Sequence, residues 1–381
     1  MGFASFSNLL GDPSLEALRD VAPVGRALSY ATLAAATTIG VAALRSASAR
    51  AGAGDGDAVV SVGNLGDHIR MLNVATRLEP SVPLHVIAND AAAPLVGLYA
   101  DVRIEASGGR YGASFVAAAA KRLIARRPAR FARALVAQPM VTQPQAIAEA
   151  TTIAERSIVL GAGIVAGVDR IAFDERSWRT AYERFFSACY PNASFAPLPR
   201  IAPDLRWNGR GSRRIAIHTG GQGHVRGIDD SSFCDLAVRL IAREYEPCIV
   251  GTFAEGPALR ASFPERCRFV LGASMRELAR ELAECAALVA IDSSVMNVAD
   301  AVGLPCVIAY NRSDPAASGP FYVPLVAVHA EGARSLGTAP HGRWRQASKD
   351  RGRSPSGADL DGALQTLVTN AAGSLTLGHS A

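Results

Sequence analysis

The sequence predicts an α/β protein of two doubly wound, Rossmann-like domains facing a central cleft. Three observations predict it. Short β-branched or apolar runs alternate with longer stretches of helical period, the pattern of a parallel sheet covered by helices. That rhythm runs once, breaks at a proline-rich stretch and restarts. The chain has 381 residues, more than one hydrophobic core serves, so two domains are expected.

Residues 1–50 read as an N-terminal helical extension. Asp12, Glu16 and Asp20 stand where a secretory signal would be positive, so export is not expected. Within it, 27–44 is an uncharged run of 18 residues, but Ser29, Thr32, Thr37, Thr38 and Gly40 make it too polar for a convincing span. An Ala-rich helix packed on the protein and a helix lying on a membrane surface both fit it. The first domain, 51–200, takes strands from 58–62, 84–88, 102–105, 134–138 and 157–160, with helices such as 68–78 and 114–125 between them. The stretch 192–211, with Pro197, Pro199 and Pro203 and little periodicity, is the expected linker. The second domain, 201–335, has strands at 214–218, 247–251, 267–271, 287–291 and 306–310 and helices at 231–242, 274–284 and 296–302. The stretch 332–357 is rich in Gly, Ser, Pro and Arg and reads as a surface loop; with a final amphipathic helix near 358–371 it makes 336–381 a basic irregular insertion followed by a helix.

Composition excludes several classes. At 49% hydrophobic residues the chain is not disordered, and 39 Lys plus Arg against 34 Asp plus Glu give a formal charge of +5, too mild to predict a nucleic-acid partner. The six cysteines lie singly in apolar runs without a CxxC pair, as reduced core thiols of a cytoplasmic protein do. No metal site is expected: the histidines are scattered, and Asp229-Asp230 is not a D-x-D pair.

In an open parallel sheet, ligands sit beyond the carboxyl ends of the strands, so the strand-to-helix turns hold the candidates. The first turn is Ser61-Val62-Gly63-Asn64-Leu65-Gly66-Asp67-His68, where two glycines admit a ligand and Asp67, starting the helix, could take a proton as a general base; serving only as an N-cap is the alternative. The second is His218-Thr219-Gly220-Gly221-Gln222-Gly223-His224-Val225-Arg226. Its glycines, hydroxyl and amide donors and cation suit a diphosphate, although it is neither G-x-G-x-x-G nor a Walker loop, and a structural turn explains it equally well. The third is Ile291-Asp292-Ser293-Ser294-Val295-Met296-Asn297, where a buried strand ends in Asp and two hydroxyls before a helix; anion binding and plain capping predict the same residue types.

The third segment, continued by Ala301-Val302-Gly303-Leu304-Pro305 and by Asn311-Arg312-Ser313-Asp314-Pro315 with Gly319-Pro320-Phe321, resembles the signature of glycosyltransferase family 9, the ADP-heptose:lipopolysaccharide heptosyltransferases. Gly66-Asp67 resembles that family's N-terminal G-D pair, which makes Asp67 the implied catalytic base. Arg226 falls on the family's phosphate-binding Lys, and Gly251-Thr252-Phe253-Ala254-Glu255 is similar to the turn that holds the nucleotide ribose. The resemblance runs in order from about Ala58 to Phe321 and is loose between Gly108 and Arg200. Asn297 stands in place of a His, Ser294 of a Gly, Ile228 of a Trp and Asn73 of a Pro. Arg226 keeps the positive charge and Asn297 keeps a donor, so donor binding is retained while the sugar, heptose among the candidates, stays open.

The resemblance implies a GT-B fold and an inverting, metal-independent sugar transfer without cofactor, from a nucleotide-diphosphate sugar, ADP favoured, to a lipopolysaccharide-type or other glycan acceptor. Asp67 would be catalytic; Thr219, Gly220, Gly221, Gln222, Arg226, Glu255, Asp292, Ser293, Ser294 and Asn297 would hold the donor. Asn64, Gly66, Arg110, Lys121 and Arg122 are the acceptor candidates. Arg110, Lys121 and Arg122 belong to a run of seven basic residues between Arg110 and Arg133 with no Asp or Glu, which would suit an anionic glycolipid or the cytoplasmic face of the inner membrane, or be a solvated helical face. Two other readings remain: a catalytically impaired nucleotide-sugar-binding protein of the same fold, and a nucleotide-sugar epimerase.

Overall fold

The computed structural model describes residues 56–106, 130–137, 143–161, 169–171, 177–220, 228, 230–310, 315, 319–329, 332–337 and 354–373. The expected N-terminal extension, the helix at 114–125 and the basic residues Arg110, Lys121 and Arg122 lie outside them, as do Gly221, Gln222 and Arg226.

The first half contributes strands β1 (Asp57–Ser61), β2 (Leu78–Glu79), β3 (Leu84–Ala88), β4 (Val102–Ala106), β5 (Phe131–Val136), β6 (Ala154–Leu160) and β7 (Asp169–Ile171). All but β2 join in one parallel sheet of order β4-β3-β1-β5-β6-β7, while β2 pairs with β8 (Ser194–Phe195). Its helices are α1 (Leu65–Ala75), α2 (Gln143–Ile153) and α3 (Trp178–Cys189). The expected strand at 134–138 begins earlier, at Phe131, and the expected helix at 68–78 is shifted toward the N-terminus. Asn64 caps α1 in extended conformation, and the chain leaves the helix at Thr76 to pair as β2.

The second half forms β9 (Arg214–His218), β10 (Glu246–Gly251), β11 (Arg268–Leu271), β12 (Ala287–Ile291), β13 (Cys306–Ala309), β14 (Leu325–His329) and β15 (Gly332–Gly337), with α4 (Asp230–Ala242), α5 (Gly256–Ser262), α6 (Met275–Ala283), α7 (Ser294–Val302) and α8 (Gly357–Gly373). The sheet order is β11-β10-β9-β12-β13-β14-β15, parallel except for β15 against β14. Residues 332–337, expected in a loop, are thus an edge strand, held by backbone pairing that needs no apolar alternation. Every residue of β12 is buried, as a central strand covered on both faces requires. α6 opens on a reciprocal capping box between Ser274 and Glu277, and α7 ends at Gly303 with φ +99, the left-handed cap that glycine adopts without strain.

Each sheet reverses its winding beside its first strand, between β1 and β5 in one and between β9 and β12 in the other. Such a switch point opens a crevice at the carboxyl ends of the strands. One continuous apolar core spans the facing sides of both sheets, joining Val59 and Leu135 to Leu288 and Ile308, while α2 covers the outer face of the first sheet and α4 with α8 that of the second. The expected linker is an ordered strap: Trp207 N–H donates to Val302 O, Asn208 N–H to Ala283 O, and Gly209 runs so close to the Cys285 carbonyl that no Cβ would fit. All six cysteines are free thiols. No helix among the described residues is long and apolar enough to cross a membrane.

Candidate active site

The turn after β1 is fixed from inside. Asn89 Nδ2 donates to Gly63 O at 3.0 Å, which leaves its Oδ1 to accept from Gly63 N–H at 3.1 Å and from His68 Nε2–H at 2.7 Å. His68 Nδ1 therefore accepts from the Ser61 hydroxyl at 2.8 Å. Burial lowers the His68 pKa, against the opposing effects of Asn89 and Asp67, so the ring is neutral in this tautomer. Asp67 is the third residue of α1 and not its first, which corrects the expected helix start. Its Oδ2 accepts from Asn64 N–H at 3.0 Å, and its Oδ1 lies 3.6 Å from Arg70 Nη1. Asp67 thus supports the cap made by Asn64 and keeps its second oxygen toward a cation.

The turns after β9 and β10 converge. Glu255 Oε2 accepts from Thr252 N–H at 2.8 Å and from the Thr252 hydroxyl at 2.7 Å. Its carboxylate lies directly over Gly220: a Cβ on Gly220 would come within 2.5 Å of Glu255 Oε1. Thr219 is buried beside it, and His218 donates Nδ1–H to Val250 O at 3.0 Å, its pKa lowered by burial.

The turn after β12 lies across the switch point from Thr219 and Gly220. Asp292 is buried at the strand end, and Ser293 is the N-cap of α7, yet its side chain makes no capping bond and its Oγ is buried without a hydrogen-bond partner among the described residues. Simple capping by Ser293 therefore does not account for this hydroxyl. The first N–H groups of α7 have no intrahelical partners, and a hydroxyl stands beside them.

The two halves meet where these turns lie. A Cβ on Gly66 would sit 3.2 Å from Asn297 Nδ2 and 3.8 Å from the Cα of Ser294. Asn297, buried at 2% exposure, aims its side-chain Nδ2 at Gly66 O at 3.5 Å, and its backbone carbonyl accepts from Asn73 Nδ2 at 3.0 Å. Asn73 also donates to Asp300 Oδ2 at 3.1 Å and accepts from Tyr99 O–H at 2.6 Å. Asp300 Oδ1 in turn accepts from Phe321 N–H and Tyr322 N–H at 2.9 and 2.7 Å, and burial raises its pKa to about 6 despite these bonds. The Tyr322 ring packs under the guanidinium groups of Arg77 and Arg179, both tied to Glu183.

The structure therefore brings Asn64, Gly66, Asp67, Asp292, Ser293, Ser294 and Asn297 to one boundary, with Thr219, Gly220 and Glu255 along the neighbouring strand ends. Two members of the basic run are committed elsewhere: Arg130 pairs with Glu105, and Arg133 pairs with Asp57 and donates to Cys189 O. Sequence reasoning missed Asn89, Tyr99 and Asp300. For Asp300 the signal was the one charged residue in the helix Ser294–Val302, with Val298, Ala299, Ala301 and Val302 around it; Asn89 and Tyr99 carried none. Among the described residues no group of His, Cys, Asp and Glu is arranged to hold a metal ion.

Two Rossmann-like halves joined in this way define the GT-B class of fold. Solved structures bear this out: the glycosyl transferase family 9 structure from Veillonella parvula DSM 2008 matches with a TM-score of 0.64 at 13% identity, over 85% of this chain and 100% of that one. The ADP-heptose lps heptosyltransferase II of E. coli matches at 0.59 and 16% identity over 83% and 99%, and E. coli heptosyltransferase WaaC with ADP at 0.54 and 13% identity over 82% and 99%. No protein-family model and no curated protein matches the sequence. At these identities the likeness is one of fold.

Proposed function

We propose that the protein is a glycosyltransferase that moves a sugar from a nucleotide-diphosphate sugar, ADP favoured, to a glycan or glycolipid acceptor with inversion. The observation that carries this reading is the contact of Gly66 with Ser294 and Asn297, because it sets the helix start bearing Asp67 against the N-terminus of α7. Asp67 takes the proton of the acceptor hydroxyl, the freed oxygen forms its bond to the anomeric carbon from one face, and the bond to the diphosphate breaks on the other. The leaving charge is met by the N–H groups at the start of α7, by Ser293 and Ser294, by the turn from Thr219 to Gln222 and by Arg226, with no divalent ion in the scheme. Asp292 and Asn297 shape that cradle, and Glu255 accepts from the ribose hydroxyls. Asn64 borders the acceptor, and Arg110, Lys121 and Arg122 attract an anionic one, such as a lipopolysaccharide-type core at the cytoplasmic face of the inner membrane.

The similar solved structures support the donor class: one is an ADP-heptose lps heptosyltransferase and another is a heptosyltransferase with ADP. Replacing Asp67 with Asn keeps a side chain that can still accept from Asn64 N–H but cannot take the proton. Turnover is expected to fall by about 10² to 10⁴ while donor affinity, read by calorimetry, stays within about twofold. Unchanged turnover removes Asp67 from the reaction; donor binding with no transfer to any acceptor favours a binding protein, and a changed sugar from donor alone favours an epimerase.

A further inference from the structure

Phe253 is 84% exposed, by far the most exposed large hydrophobic side chain among the described residues. It contributes nothing to the core, and its backbone is held firmly. Glu255 N–H donates to Thr252 O and Gly256 N–H to Phe253 O, while the Glu255 carboxylate closes the turn through two bonds to Thr252. On the far side Gly272, at φ +68, lies against it: a Cβ there would be 3.0 Å from Phe253 Cβ and 3.5 Å from Cδ2. The bare glycine backbone leaves room for the ring base, so a rigid turn presents an aromatic face at the carboxyl end of β10, toward β11.

The order of groups along that sheet edge gives this ring a purpose. Beginning at β12, the open start of α7 and the Ser293 hydroxyl suit phosphate. Next, at β9, Thr219 and Gly220 continue the polar turn. At β10 the Glu255 carboxylate, over Gly220, suits a sugar diol. One step further outward come Phe253 and Gly272. A nucleoside diphosphate has its phosphates, ribose and base in that same linear order.

We infer that Phe253 is the platform on which the base of the donor nucleotide stacks, an inference that rests on the donor site proposed above. Stacking on one aromatic face contributes affinity with little regard to which base is present, because every base has a π-face. Phe253 therefore adds affinity for nucleoside diphosphates as a class.

The experiment is calorimetric titration of ADP into the full chain and into Phe253→Ala, Phe253→Trp and Glu255→Gln. Phe253→Ala is expected to weaken ADP binding by about 5- to 150-fold with an unchanged melting temperature, and Phe253→Trp to bind at least as well as the parent, its added fluorescence quenched by ADP. If Phe253→Ala binds ADP like the parent while Glu255→Gln is weakened, the platform is overturned and the donor site stands. Loss in both Phe253 variants alike also overturns stacking. If the parent binds no ADP, the ADP donor site itself falls, and the platform with it.

Discussion

Asp300, on α7, lies at 1% exposure against α1 and the segment carrying Phe321 and Tyr322, with its pKa raised to about 6 from an ordinary 3.8. Burial raises it, and three hydrogen bonds from Tyr322, Phe321 and Asn73 only partly offset the effect. A carboxyl whose folded pKa is the higher one holds its proton more tightly in the native state. Its titration therefore favours the native state as pH falls through 6, fully so below 3.8, and that contribution is absent above 6. Two pKa units correspond to about 3 kcal/mol in full, of which about 2 kcal/mol is present by pH 4.5. Asp300→Asn removes the titration while its amide oxygen can still accept from the two backbone N–H groups. Urea unfolding of both proteins at pH 7.5 and 4.5 is the assay. His68 and His218, whose pKa values burial lowers, cost stability as pH falls below 6.5, but they do so in both proteins and cancel in the difference. The parent is expected to gain about 2 kcal/mol on the variant between the two pH values. Parallel stabilities at both would refute the assignment of a buried, strongly perturbed carboxyl at the junction.

Two further outcomes follow from the same geometry. Asn73→Ala strips Asp300 and the Asn297 backbone carbonyl of a donor in a dry setting and leaves Tyr99 O–H only its longer bond to Ile69 O, so a loss of about 3 kcal/mol is expected in urea unfolding, whereas a change below about 1 kcal/mol would contradict the network. Gly220→Ala pushes the Glu255 carboxylate off Thr252 and is expected to weaken ADP binding by about tenfold while the melting temperature stays within a few degrees; unaltered binding would place the turn outside the donor site.

The strands 84–88, 214–218 and 287–291 coincide with β3, β9 and β12, because strands covered on both faces are written as mostly apolar runs, unbroken in β12 and interrupted only by His85 in β3 and by the terminal Arg214 and His218 in β9. The glycine turn behind β9 was equally visible, since close approach demands glycine, as at Gly220 under the Glu255 carboxylate. β15 was not: an edge strand of sequence GARSLG pairs with β14 through its backbone and looks like a loop. The junction was hidden for another reason. Asn73 and Asp300 are 227 residues apart, and nothing in either neighbourhood announces the other. Likewise the bonds that set the His68 ring depend on Asn89, 21 residues away on another strand end.

The bolting of α1 to α7 through Gly66, Asn73 and Asp300 has a mechanical consequence. These helices carry, at their starts, residue 67 and the residue 293 hydroxyl, so the spacing between them is set by interlocked groups of the two helices. If the function proposed above holds, damage at this rivet would disturb the alignment of acceptor and donor.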